Sequence, residues 1–165
     1  MIRMSILFLL LLFQLSSRAG ETDSIANNVF VLIYQQDLKS AEQRLETEKY
    51  RLNNFYYLFL NLDLHWWKYR TSNSATDAQA LETLIEEQNQ LEVVTDLEIM
   101  NRLLVKSYKL RYEKRKLRLL GMLGTRSDIK NLIEKIELDK LPVSVDESKL
   151  FESYVVMYQY VEGIN

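Results

Sequence analysis

Apolar residues return at three- and four-residue steps along most of the chain, the spacing that gathers them on one face of an α-helix. Ala78, Leu81, Leu84, Ile85, Gln88 and Leu91 mark such a face and predict a helix over 77–91, with Thr76 and Gln79 as its capping-box start. Ser144 and Glu147 repeat that device ahead of Leu150, Phe151, Tyr154, Val155, Tyr158 and Val161, predicting a closing helix over 147–161. Ser127 is placed as the N-cap of a short helix over 127–138 that carries Ile129, Leu132, Ile133 and Ile136.

The remaining segments are less regular. Residues 54–69 are apolar nearly all round (Phe55, Tyr56, Tyr57, Leu58, Phe59, Leu60, Leu62, Leu64, Trp66, Trp67), which predicts a central helix contacted on several sides. Residues 96–120 read as the longest helix, with Gly121 and Gly124 marking its end. Upstream, 24–34 and 38–50 form two shorter helices around a turn at Gln35, Gln36 and Asp37. Breakers are few and there are no alternating β-branched runs, so the expected fold is all-α. It has about seven helices: 24–34 with 38–50, 54–69 with 77–92 and 96–120 with 127–138 as three antiparallel hairpins, then the closing helix.

Helix pairs in series suggest an α-solenoid, and the stretch Val29-Phe30-Val31-Leu32-Ile33-Tyr34-Gln35-Gln36-Asp37-Leu38-Lys39-Ser40-Ala41 resembles a tetratricopeptide-repeat hairpin: a first helix, its tight turn, and the small residue of the second helix. The later hairpins depart from the family pattern. Ala78 or Ala80 serves as the small residue in the second, whereas Asp128 and Asn131 stand near the equivalent place in the third, and the hairpin spacings exceed the family's period of about 34 residues. The resemblance implies an α-solenoid that binds a partner along the groove between successive hairpins. A simple up-and-down helical bundle stays open beside it.

Composition narrows the chemistry. The 165 residues include no Cys and one His, which removes disulfides, thiol catalysis and Cys-type zinc sites and leaves little for a His-based relay. With 21 Lys+Arg against 23 Asp+Glu, a formal charge of −2 argues against nucleic acid as a partner. Arg3, the apolar run 6–13 and the polar Ser16, Ser17, Arg18 and Ala19 form the pattern of a signal peptide over 1–19, cut after Ala19. Its apolar run is too short for a comfortable membrane span, which needs about 20 residues. An uncleaved signal anchor is the alternative. Cleavage leaves 19 Lys+Arg against 23 Asp+Glu, a formal charge of −4, in one all-helical domain over 20–165 with no stable membrane span. An exported chain without Cys points to a periplasmic or secreted protein, the bacterial periplasm being favoured.

Charge is segregated along the sequence. Residues 71–101 carry Asp77, Glu82, Glu86, Glu87, Glu92, Asp96 and Glu98 with no Lys or Arg. Residues 102–118 carry Arg102, Lys106, Lys109, Arg111, Lys114, Arg115, Lys116 and Arg118 against Glu113 alone. One reading is a basic surface for phosphate, anionic lipid or an acidic partner. The favoured reading is an acidic helix lying beside a basic one, each partly neutralising the other and helping to choose neighbours.

A second candidate is His65-Trp66-Trp67-Lys68-Tyr69-Arg70, where aromatics and cations can line a pocket, although aromatics at helical spacing are more often core. The chain has no Gly-x-Gly-x-x-Gly, phosphate loop, Gly-x-Ser-x-Gly or His-Glu-x-x-His, and the adjacent Glu86 and Glu87 point about 100° apart on a helix. No cofactor and no metal site are expected.

The leading functional expectation is an exported, non-enzymatic helical-repeat module that binds a protein or peptide. Its expected contacts are Trp66, Trp67, Tyr69 and Arg70, with Lys106, Arg111 and Arg115 on the long helix. The alternative is a helical carrier enclosing an apolar small molecule between 55–67 and 151–160. Residues 150–161 also look like half of a further hairpin, as expected of a piece of a longer array or of a homodimer formed through 147–161.

Overall fold

The computed structural model describes residues 21–135 except Val94, together with Lys149, Glu152, Ser153 and Val155. The expected signal peptide, and most of the closing helix, of its dimer surface and of the 151–160 wall of the carrier reading, lie outside the described residues. Those described are all-helical, with six α-helices, one 3-10 turn and no strand. They are α1 (Glu21–Tyr34), α2 (Leu38–Glu48), the 3-10 turn Lys49–Arg51, α3 (Asn54–Ser72), α4 (Ala75–Gln90), α5 (Asp96–Arg115) and α6 (Leu119–Lys135). Lys149, Glu152, Ser153 and Val155 have helical backbone, and Val155 is buried. The chain divides into two compact units between Asn73 and Ser74.

In the first unit α1, α2 and α3 pack pairwise against one another. The turn expected at Gln35, Gln36 and Asp37 closes by two backbone hydrogen bonds, from Asp37 to Leu32 and from Gln36 to Ile33, both 3.0 Å. This is a Schellman end, with Gln36 in the left-handed position at φ 65°. Asp37 then caps α2, its carboxylate accepting from the Ser40 amide at 3.2 Å. Val29, Ile33 and Ala41 are wholly buried, so α1 contributes an i, i+4 stripe and α2 a small residue to the same core. Asn53 caps the start of α3, accepting from the Tyr56 amide at 2.8 Å, and Asn73 ends it in the left-handed conformation at φ 52°. As its apolar circumference predicts, α3 is buried on several sides, through Phe55, Leu58, Phe59, Leu60, Leu62 and Leu64.

In the second unit α4 and α6 each pack against α5. Three boundaries differ from the expectation. Ser74, not Thr76, caps α4: its hydroxyl accepts from the Asp77 amide at 3.0 Å and donates to the Asp77 carboxylate at 2.8 Å, which starts the helix one residue ahead of Thr76. The basic helix ends at Arg115 rather than Leu120. The third helix begins at Leu119, so Gly121 and Gly124 lie inside α6 and Ser127 is a helical residue, not a cap. At its start α5 has a complete capping box, with Thr95 bound to the Glu98 amide and Glu98 to the Thr95 amide.

The two glycines of α6 have opposite surroundings. A Cβ on Gly121 would stand 2.7 Å from Oε1 of Glu113, a buried carboxylate that also accepts from the Thr125 hydroxyl at 2.8 Å. A Cβ on Gly124 meets nothing within 4 Å. Gly124→Ala is therefore expected to stabilise the protein by about 0.5–1 kcal/mol through helix propensity. Gly121→Ala is expected to cost about 1 kcal/mol or more, because the carboxylate must leave its hydroxyl partner while still buried. Urea melts of the two variants check this; equal stabilisation of both would remove the close approach from the account.

Candidate functional site

Chain reversal between α5 and α6 brings together four of the exposed large apolar residues of the described chain. The Arg118 amide donates to the Glu113 carbonyl at 2.9 Å and the Leu117 amide to the Lys114 carbonyl at 3.2 Å, a second Schellman end. Its left-handed position holds Leu117, at φ 55°. An L-residue with a Cβ pays about 1–2 kcal/mol there, which is why glycine or asparagine usually occupies it. Nor does the Leu117 side chain recover that energy by packing, since it is 81% exposed. Leu119, Leu120 and Leu123 follow on the outward side of α6 at 69%, 87% and 62% exposure. The opposite side of α6, Gly121, Thr125 and Ile129 at four-residue steps, faces the core. Lys114, Arg115 and Lys116 are exposed in the same reversal.

The rest of the basic helix is largely engaged within the second unit. Arg102 reaches back to the carbonyls of Asn89 and Leu91, supplying donors and positive charge at the C-terminal end of α4. Lys106 pairs with Asp128 at 2.6 Å, Lys109 lies 3.8 Å from Glu113, and Arg118 pairs with Glu82. Glu82 also accepts from the Tyr112 hydroxyl at 2.8 Å. Arg118 and Lys116 lie over the Tyr112 ring, at 5.3 and 5.8 Å from its centroid. Acidic α4 thus lies beside basic α5, the arrangement the charge segregation favoured.

The residues expected as contacts fall into three environments. Tyr69 is 4% exposed and belongs to the core. Trp66 and Trp67 are half-buried: Trp66 meets the edge of Tyr69 at 6.3 Å, and Trp67 meets Tyr34 at 6.2 Å with Arg70 stacked 4.7 Å from its ring centre. On α5, Lys106 is held by Asp128, Arg111 stacks on Tyr108 at 4.8 Å, and Arg115 is exposed beside the leucines. Sequence reading missed the leucines themselves by running one long helix through residues 96–120. The available signal was local: residues 114–127 contain five cations and no acid, which suits a surface better than a core. Among the described residues no group of three or more His, Asp or Glu is placed to hold a metal ion, and no helix is long and apolar enough to cross a membrane.

Glu82 gives this unit an acid-sensitive contact. Burial pushes its carboxyl up, but the hydrogen bonds from Arg118 and Tyr112 and the charges of Arg118 and Lys116 outweigh burial and hold it below the usual carboxylate range. The folded pKa lies below the unfolded one, so this stabilisation is complete above the unfolded value and is lost as pH falls through the folded value. Because Arg118 is exposed, the contribution is at most about 1 kcal/mol. Glu82→Gln is expected to flatten the acid limb of stability against pH while leaving its slope near neutrality unchanged. Denaturant melts from pH 3 to pH 7, roughly the window of carboxylate titration, measure this; an unaltered acid limb would assign acid sensitivity elsewhere. Comparison of the chain with protein-family models, with curated proteins and with solved structures found no match.

Proposed function

We propose that this chain is an exported, non-enzymatic helical interaction module that works by presenting the reversal between α5 and α6 to a partner. The observation that carries the reading is the exposure of Leu117, Leu119, Leu120 and Leu123 as neighbours within seven residues. Scattered exposed leucines are ordinary on a protein surface, but a contiguous apolar group rimmed by charge marks a place where something docks. Leu117 strengthens the argument, because its backbone is strained and its side chain is mostly exposed, so folding gains little from a leucine at that position. Export rests on the signal-peptide pattern of residues 1–19. Likeness of residues 24–50 to a tetratricopeptide hairpin is supported by the complete burial of Val29, Ile33 and Ala41 around a tight turn.

A photo-crosslinking amino acid placed at Leu120 tests the module in its native compartment, with the same substitution at the exposed Glu86 of α4 as control. Protein or lipid adducts at position 120 and none at position 86 are expected. Crosslinks from 120 only to residues 136–165 of the same chain would make the leucines internal packing and end the reading.

A further inference from the structure

Resting on the interaction-module reading, we propose that the reversal between α5 and α6 seats on the surface of an anionic lipid bilayer, with its leucines in the headgroup boundary and its cations on lipid phosphates. From Lys114 to Ser127 the chain carries Lys114, Arg115, Lys116, Arg118 and Arg126 and no Asp or Glu, in a protein whose formal charge is −2. Arg118 is held by Glu82, and Lys114, Arg115 and Lys116 are exposed in the stretch that also exposes its leucines. Lys and Arg beside exposed Leu is the composition of interfacial segments, whose apolar side chains enter the headgroup region by about 5–10 Å. Each cation near an anionic surface strengthens binding by roughly fivefold, and guanidinium groups match phosphate geometry.

Other occupants fit this surface less well. Residues 113–127 contain no aromatic residue, whereas protein interfaces concentrate their binding energy in Trp, Tyr and Arg and are poor in Lys. A second copy docking by the same patch would set like charges against one another. Nucleic acid would use the cations but leave four exposed leucines without a role. No helix among the described residues is long and apolar enough to cross a bilayer.

The left-handed leucine supplies a test that separates docking from folding. Glycine at position 117 relieves the backbone and removes one of the exposed apolar side chains. The protein, isolated with the N-terminus it carries after export, is sedimented with vesicles of phosphatidylcholine containing phosphatidylglycerol, and with pure phosphatidylcholine. Binding is expected to be at least tenfold tighter on the anionic vesicles and to fall steeply as salt is raised. L117G is expected to weaken it severalfold while keeping or raising the melting temperature; L119S/L120S and K114E/R115E are each expected to weaken it at least tenfold. No binding, equal binding to both vesicles, or binding indifferent to these variants overturns the membrane proposal. If vesicles fail but position 120 still crosslinks to another protein, the module reading survives with a protein partner. If vesicles fail and position 120 crosslinks only to residues 136–165, both readings fall together.

Discussion

Reversal of the chain at Lys116, Leu117 and Arg118 governs the second unit. It divides what would otherwise continue as one basic helix into α5 and α6 and lays the two against each other. Close approach follows at once, because Gly121 comes to rest against the carboxylate of Glu113 with no room for a methyl group, and Thr125 one turn later donates to the same carboxylate. A buried carboxylate is tolerable when its lone pairs are engaged, and here a hydroxyl and a nearby ammonium engage them. The same reversal turns Leu119, Leu120 and Leu123 outward, since the side of α6 that bears Gly121 and Thr125 is already committed to α5.

Around that reversal, electrostatics chooses neighbours more than it adds stability. Exposed ion pairs such as Arg118 with Glu82 are individually weak, but α4 holds only acids and α5 mostly cations, so pairing these two helices avoids like-charge contact. Arg102 gains more from its position, where its guanidinium satisfies carbonyls that the end of α4 leaves without helical partners. At the far end of α5, Lys114, Arg115 and Lys116 are exposed in the same stretch as the leucines.

Most of the helices were legible in the sequence because burial in a helical unit enforces a repeat of 3.6 residues, and Ala78, Leu81 and Ile85 or Val29 and Ile33 obey it. The first turn was legible for another reason: Gln35, Gln36 and Asp37 break the apolar run with polar residues that suit a turn. The end of α5 was not legible. Nothing in Lys114-Arg115-Lys116-Leu117-Arg118 breaks a helix, while Gly121 and Gly124, which commonly do, sit inside α6. Glycine has two uses, conformational freedom and absence of a side chain, and Gly121 serves the second, which only the neighbouring helix reveals. The candidate contacts suffered the same ambiguity, because Tyr69 and Trp67 carry identical local signals although one is buried and the other only half so.

By itself the sequence determined the helical class, the turn at Gln35, Gln36 and Asp37 and the charge division between α4 and α5, all of which depend on residues within a few positions of one another. Tertiary structure decided where α5 stops, which leucines face outward, and which cations are held by acids. Each of those depends on what lies across from a residue, and a one-dimensional pattern carries periodicity but not the identity of the facing surface.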